Sequence, residues 1–249
     1  QKTFRYFVGD FETTVYAGQT DTEVWASAIV EMFTENVKIF HSIQETFNYL
    51  CSLKCNLCVY YHNLKFDGAF WISYLLTELN YKQAVIHNSP AEYDVKFLYD
   101  DKMKNNTFKY IISDMGNWYS ITIKTGDHII ELRDSLKLLP FSVSKIGESF
   151  RTKHQKLEME YTGFRYAGCV ITDEEQKYIA NDVLVVKEAL EIMFGEGHKK
   201  LTIGTCCLDE YRSSVGFTDY KQMFPDIYEY NIDENTFGYP NAGEYVRKS

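Results

Sequence analysis

The feature that most constrains the fold is a pair of acids at the end of an apolar run near the N-terminus. Residues 4–12 form a run typical of a β-strand and end in Asp10-Phe11-Glu12. Because side chains alternate along a strand, we expect Asp10 and Glu12 on one face and Phe11 on the other. Two carboxylates on one face of a buried strand repel each other unless a cation lies between them. The pattern predicts a divalent metal site, with a strand end that faces solvent as the alternative.

Length, charge and hydropathy narrow the class of protein. The 249 residues suffice for one large domain or one domain with an appendage, and the sequence does not begin with Met, which predicts a piece of something longer. No apolar run reaches the length of a membrane span and no signal peptide is recognisable, so we expect no membrane partner. A net charge of -9 argues against a sequence-independent duplex binder but permits a narrow cleft that holds a few nucleotides around metal ions.

Three of the six cysteines have the spacing that radical-SAM enzymes use to hold an iron–sulfur cluster. They are Cys51, Cys55 and Cys58, which end a helix-like stretch and run directly into a strand rather than lying on a loop. No glycine-rich SAM-binding segment is evident, and no secretion signal favours disulfides. We therefore expect reduced, inert thiols, with the cluster as the alternative.

The order of the predicted elements indicates an α/β domain with a mixed central sheet, because strands come first, helices and strands then alternate, and a long helix follows. Strands are predicted at 4–12, 25–32, 37–40, 59–62, 108–113, 118–124 and 128–133. Helices are predicted at 42–54, 68–79, 141–150 and 172–195. Capping boxes open the first and last of these helices, at Ser42 and Thr172. The polar stretch 81–106 is expected to form a long loop or hairpin, and residues 198–249 helical pieces and loops.

Two further acids occur at positions that suit an active site. Asp67 lies where a strand passes into a helix, and backbone N–H groups there favour an ionised carboxylate, with a plain N-cap as the alternative. On the long helix, Asp182 lies four residues after Tyr178, so both side chains project from one face. This pair is expected either to point into a cleft or to lie on a solvated face.

Together the four acids offer a ligand set made only of oxygen: Asp10, Glu12, Asp67 and Asp182. Such a set suits Mg²⁺ or Mn²⁺ better than Zn²⁺, which prefers His or Cys. Two such ions, roughly 3.5–4 Å apart, activate a water and stabilise the leaving oxygen of a phosphodiester. Asp10 is the natural bridging ligand, and the Tyr178 hydroxyl would hold the attacking water. A nearby lysine would offset the charge on the phosphate.

Three short motifs follow one another along the chain. They are Asp10-Phe11-Glu12, Asn63-Leu64-Lys65-Phe66-Asp67 and Tyr178-Ile179-Ala180-Asn181-Asp182. This ordered set resembles that of the proofreading 3′–5′ exonucleases of the DEDDy type. The segments 61–70, 115–119 and 134–141 are similar to those of the protein-primed family B DNA polymerases of small bacteriophages and linear plasmids. The resemblance covers most of residues 4–195 and implies a ribonuclease-H-like fold, with a mixed central sheet flanked by helices.

The resemblance also implies roles for further residues. Eight positions match the family's contacts with single-stranded DNA: Thr13, His62, Asn63, Phe66, Ser135, Leu136, Phe141 and Tyr161. Lys156 lies where the family has its catalytic lysine. The stretch 151–156 departs from the family pattern, so Lys153 is an open alternative, and either lysine could be a solvated surface charge.

A function follows from the resemblance as an expectation. We expect an exonuclease domain at 1–197, and a segment at 198–249 that leads to a polymerase domain missing from this sequence. Residues 244–249 resemble the family's segment before its Tyr-x-Gly-Gly linker, and the polymerase motifs with paired aspartates do not occur, so DNA synthesis is not expected. The expected activity is removal of mononucleotides from the 3′ end of single-stranded DNA, with two Mg²⁺ or Mn²⁺ ions, as proofreading during DNA replication.

The expected partners and location follow from the same resemblance. They are single-stranded DNA, the polymerase domain of the same full-length chain and a terminal protein primer, in the cytoplasm of a bacterial host of a phage or mobile element. Two alternatives stay open. One is a free-standing exonuclease of the same type that acts on RNA, and the other is a non-catalytic replication module that binds single strands or a terminal protein.

Overall fold

The computed structural model describes residues 3–86 and 96–224, and the elements named here lie within them. The strands are β1 (Arg5–Glu12), β2 (Ala26–Glu31), β3 (Val37–Phe40), β4 (Leu57–Tyr61), β5 (Lys82–Gln83), β6 (Val85–Ile86), β7 (Lys96–Phe97), β8 (Thr107–Ile112), β9 (Trp118–Thr125) and β10 (His128–Asp134). The helices are α1 (Ile43–Ser52), α2 (Leu64–Thr77), α3 (Val143–Phe150), α4 (Asp173–Gly195), α5 (Ile203–Val215) and α6 (Phe217–Met223). Short 3-10 helices lie at Asp100–Lys102 and Ser135–Lys137.

Eight of the strands form one mixed sheet in the order β3-β2-β1-β4-β10-β9-β8-β5. At its centre β4 pairs in parallel with β1 on one side and with β10 on the other. The strands β2, β3, β9 and β8 are each antiparallel to their inner neighbour, and β5 is parallel to β8. Helices flank this sheet, so the predicted α/β class with a mixed central sheet is confirmed.

Both faces of the central strands are covered, which explains why all five residues of β4 are buried. On one face Phe11 contacts the ring of Trp71 from α2, with centroids 5.4 Å apart. On the other face Tyr6 and Tyr60 contact the ring of Phe194 from α4, at 5.1 and 6.0 Å. The predicted alternation along β1 is therefore confirmed, and its even-numbered residues face α4.

Ser42 and Thr172 are the N-caps of α1 and α4 as predicted, but the capping box at Ser42 is incomplete, because Glu45 Oε2 accepts the N–H of His41 and not that of Ser42. The side chain of Ser42 accepts the N–H of Glu45, and Thr172 forms a complete capping box with Glu175. The start of α2 at 68 was predicted wrongly, because the helix begins at Leu64 with Asn63 as N-cap in the left-handed conformation.

The segment 81–106 and the C-terminal part agree with the prediction as far as they are described. Strands β6 and β7 pair antiparallel as a small hairpin, while residues 87–95 lie outside the described residues.

The chain divides into two compact units, 1–203 and 204–249. In the second unit α5 and α6 are the predicted helical pieces, and the rings of Tyr211, Tyr220 and Phe224 contact one another. Residues 225–249, with the predicted linker-like segment, lie outside the described residues.

The three closely spaced cysteines do not form a shared cluster. Cys51 and Cys55 pack against the core on the α1 side of the sheet. Cys58 is buried, and its electrostatic neighbours are Arg133 and Tyr60. Burial raises the pKa of the Cys58 thiol to about 12, which favours the inert thiol over the iron–sulfur alternative. Among the described residues, no helix has both the length and the apolar character of a membrane span.

Candidate active site

A polar cavity of about 290 Å³ opens at the carboxyl edge of the central strands. It lies where β1 and β4 end, beside the first turn of α2 and the N-terminal half of α4. Parallel strands bring their carboxyl ends to the same edge of a sheet, which is why distant parts of the sequence meet there. The lining residues are Asp10, Phe11, Glu12, Thr13, Thr14, His62, Asn63, Phe66, Asp67, Lys156, Tyr178 and Asp182.

All the residues predicted to be catalytic line this cavity, and so do four of the predicted DNA contacts: Thr13, His62, Asn63 and Phe66. The other four predicted contacts are not part of the lining: Ser135, Leu136, Phe141 and Tyr161. His62 links two of them to the cavity, because its Nδ1 lies 3.0 Å from Ser135 Oγ and its Nε2 lies 2.7 Å from the Phe141 carbonyl oxygen. Since a carbonyl oxygen only accepts hydrogen bonds, Nε2 is the donor.

Asp10 and Glu12 are half-buried acids whose charges are poorly accommodated. Loss of contact with water, and then the nearby Asp182, raise the pKa of Asp10 to about 7. Loss of contact with water, and then Asp10, raise the pKa of Glu12 to about 8. Tyr161 and Lys156 oppose this shift without cancelling it. A cation that enters the cavity therefore stabilises the ionised forms of these two carboxyls near neutral pH.

Asp67 joins the end of β1 to the first turn of α2. It is 2% exposed, and its Oδ1 accepts the N–H of Phe11 at 3.2 Å. The N-cap alternative for Asp67 was wrong, because Asn63 occupies that position. Backbone N–H groups lower the pKa of Asp67, as expected for a carboxylate at the start of a helix. Burial, followed by repulsion from Asp10, raises the pKa of Asp67 well above its usual value and outweighs the hydrogen bonds that lower it.

Lys156 supplies the positive charge in the cavity. Its Nζ forms an ion pair with Asp182 and lies 2.9 Å from the Tyr178 hydroxyl. Burial raises the pKa of Asp182, and the hydrogen bond from Lys156 opposes this shift. The alternative Lys153 lies at the surface, where its Nζ pairs with Glu35 at 2.8 Å. The structure thus places Lys156 and not Lys153 among the acids, and it places the Tyr178–Asp182 pair in a cleft rather than on a solvated face.

The donor set of the cavity fits hard divalent cations. Four carboxylates face one ammonium, so full ionisation leaves a large negative excess. Asp182 Oδ1 is buried without a hydrogen-bond partner, as expected of an oxygen that is free to ligate. Within the described residues, no three His, Cys, Asp or Glu side chains already stand as ligands of one ion. Two of the acids have protein partners instead, Asp182 with Lys156 and Asp67 with the Phe11 N–H.

An aromatic wall built on Tyr161 closes one side of the acids. Its ring meets Tyr178 edge-on with centroids 5.8 Å apart, and meets Trp25 at 4.8 Å. The Arg165 guanidinium lies over both Trp25 and Tyr161, and forms a buried ion pair with Glu175. Tyr161 is thereby fixed beside the acids although it does not line the cavity.

Asp134, to which the sequence motifs assign no role, organises the entrance of the cavity. It is 3% exposed, and its Oδ1 accepts the N–H groups of Asn63, Leu64 and Leu136 at 3.1, 3.2 and 3.0 Å. These bonds replace the missing side-chain cap of α2 and hold the turn that carries His62. The available signal was an acid at the end of a strand and directly before Ser135.

Comparison with known proteins gives consistent matches. Residues 75–169 match the family described as DNA polymerase type B, organellar and viral. The DNA polymerase of Bacillus phage B103 is 33% identical over 230 residues, which cover 90% of this chain and 36% of that protein. The DNA polymerase of Bacillus phage phi29 is 34% identical over 225 residues, covering 88% of this chain and 35% of the relative.

Solved structures agree with these sequence matches. The phi29 DNA polymerase complexed with primer-template DNA superposes with a TM-score of 0.73 at 32% identity, over 88% of this chain and 36% of that protein. The same polymerase complexed with single-stranded DNA gives a TM-score of 0.72. The chain therefore spans about a third of the length of the curated relatives that it matches.

Proposed function

Because the chain is a relative of the type B DNA polymerases of bacteriophages, we propose that it carries the 3′–5′ exonuclease site of such an enzyme. Its substrate is the 3′ end of single-stranded DNA, and its role is proofreading in a protein-primed DNA polymerase. The observation that carries this proposal is the convergence of acids from three separate segments on one cavity. Acids on unrelated surfaces would not support a nuclease, whereas acids beside a lysine and a tyrosine do.

The residues of the cavity have separate roles in the hydrolysis of a phosphodiester. Asp10, Glu12 and Asp182 would hold one cation, and Asp10 and Asp67 would hold the second. Two bound Mg²⁺ or Mn²⁺ ions would supply activation of the attacking water and stabilisation of the leaving oxygen. The Tyr178 hydroxyl, 2.9 Å from Lys156 Nζ, orients the water. The Lys156 ammonium offsets charge that builds up on the phosphate in the transition state.

The lining of the cavity and the adjoining residue Phe141 hold the terminal nucleotides. Phe66 is 53% exposed beside the acids, and Phe141 is 47% exposed next to the His62 ring. Exposed aromatic rings bind bases by stacking, which needs no positive surface, so the net charge of -9 does not oppose this interaction. Thr13 and Asn63 complete the polar part of the lining. A polymerase domain in the same full-length chain and a terminal protein are the further partners in this proposal.

The activity is tested with a 5′-labelled single-stranded oligonucleotide, Mn²⁺ and the double variant Asp10→Asn, Asp67→Asn. We expect the wild type to produce a ladder that shortens from the 3′ end, and the double variant to lose at least about 10³-fold in rate. Lys153→Met is the matched control, since this lysine lies at the surface, and it is expected to match the wild type. Undiminished digestion by the double variant would contradict the proposal. Faster digestion of an RNA oligomer of equal length would favour the RNA exonuclease instead.

A further inference from the structure

Two residues of α4 bind the segment that carries Lys156. The Asn181 side chain donates its Nδ2 hydrogen to the carbonyl oxygen of Gln155, the residue before Lys156. Farther along the helix, Glu188 accepts two hydrogen bonds from His154, from the backbone N–H at 3.1 Å and from Nδ1 at 2.5 Å. Because an ionised carboxylate only accepts, His154 Nδ1 carries the proton in this contact.

The same segment is held from the side of α3. Gln155 Nε2 donates to the carbonyl oxygens of Gly147 at 3.1 Å and of Thr152 at 2.8 Å. The Thr152 hydroxyl donates to the carbonyl oxygen of His154 at 2.5 Å. Residues 153–160 contain no helix or strand, so these side-chain hydrogen bonds, and not a helix or strand ladder, satisfy backbone carbonyl groups and fix the segment.

Asn181 and Glu188 bind the backbone next to Lys156, which is where the position of a flexible lysine side chain is determined. A lysine ammonium sits at the end of a four-carbon stem, so its position depends on where its own backbone is held. Asn181 is 9% exposed, and the Glu188 side chain is 14% exposed, so solvent competes little for either bond. Asn is a weak helix former whose side chain competes for backbone groups, and here it bonds to a backbone outside its own helix.

We propose that Asn181 and Glu188 are positioning residues for Lys156. By clamping residues 154–155 against α4, they direct the ammonium toward Tyr178 and Asp182 and keep it available for the substrate phosphate. The second part of this inference rests on the proposed exonuclease function. The effect of these two residues on the position of Lys156 can be measured without nuclease activity.

The first test compares Glu188→Ala, which removes both acceptors, with Glu188→Gln, which keeps one. We expect Glu188→Ala to lower kcat on the single-stranded oligonucleotide about tenfold or more, with KM within about twofold, and Glu188→Gln to recover most of the loss. Glu35→Ala is the matched control, because Glu35 pairs with Lys153 of the same segment but at the surface. Equal kcat for Glu188→Ala and Glu35→Ala would overturn the proposal.

A double-variant cycle separates positioning from a general effect on the fold. If Glu188 acts through Lys156, then Glu188→Ala should change kcat by less than about twofold in a Lys156→Met background. The same loss in both backgrounds would mean that Glu188 acts elsewhere and would overturn the proposal. Asn181→Ala repeats the cycle independently, should Glu188→Ala prove poorly folded by circular dichroism.

Chemical labelling tests the clamp apart from catalysis. With an amine-acylating reagent and mass spectrometry, we expect Lys156 to react several-fold faster in Glu188→Ala than in the wild type, while the rate at Lys153 stays the same. Unchanged labelling of Lys156 would overturn the clamp. An inactive wild type that shows the expected labelling would refute the exonuclease proposal and leave the clamp in place.

Discussion

Asp10→Asn should stabilise the protein in the absence of metal while it removes the proposed activity. The substitution keeps the shape of the side chain and removes a charge that the cavity disfavours. The pKa of Asp10 is raised from 3.8 to about 7, chiefly by burial. At about 1.36 kcal/mol per pKa unit, the charged form costs at most about 4 kcal/mol of folding free energy at pH 8. Because solvent still reaches part of this side chain, we expect a gain of about 2 kcal/mol.

The pH dependence has a definite sign. Between about pH 4 and pH 7 the folded wild type retains a proton on Asp10 that the unfolded chain has lost, so its stability falls as the pH rises. Asp10→Asn should therefore match the wild type at pH 4 and exceed it at pH 8. A gain of about 2 kcal/mol corresponds to a rise of about 4–8 °C in Tm for a domain of this size.

The assay is thermal unfolding by circular dichroism in EDTA at both pH values, repeated with Mn²⁺. Metal should raise the Tm of the wild type at pH 8 much more than that of Asp10→Asn, because the cation replaces the missing counter-charge. A variant that is no more stable than the wild type at pH 8 in EDTA would show that the cavity is not a site of uncompensated negative charge.

Three further predictions concern the surroundings of the acids. Tyr178→Phe should lower kcat by about tenfold to a hundredfold without weakening oligonucleotide binding measured by fluorescence anisotropy, because only the hydroxyl that orients the water is lost. Arg165→Met should cost about 3–5 kcal/mol in urea unfolding because it leaves the Glu175 charge buried and unpaired, and adding Glu175→Gln should recover part of this loss. Gly9→Ala should cost about 1–3 kcal/mol in the same assay, since a Cβ there would lie 2.8 Å from the Tyr61 ring.

The fold was largely predictable because its signals are local. The alternation at Asp10-Phe11-Glu12, the N-cap at Ser42 and the capping box at Thr172 depend only on neighbouring residues, and they appear as expected. The start of α2 was not predictable in the same way. It is stabilised by hydrogen bonds to Asp134, which is about 70 residues away in sequence. The residues near the start of the helix do not reveal such a distant partner.

The sequence predicted which acids belong to the candidate site, but it did not predict how burial changes their pKa values. The motif order identified the acids, but the raised pKa of Asp67 depends on burial and on its distance from Asp10, which only the folded arrangement sets. The choice between Lys153 and Lys156 likewise required the structure, because both lie on one irregular segment and differ only in what they face.

The proposed exonuclease function requires the four acids to bind divalent cations in the cavity. Anomalous diffraction from crystals soaked in Mn²⁺ tests it most directly, with Asp10→Asn crystals treated in the same way as the control. We expect Mn²⁺ peaks bounded by the carboxylates of Asp10, Glu12, Asp67 and Asp182 in the wild type, and weakened or missing peaks in the variant. Mn²⁺ bound elsewhere on the surface, with these carboxylates unligated in both crystals, would contradict it.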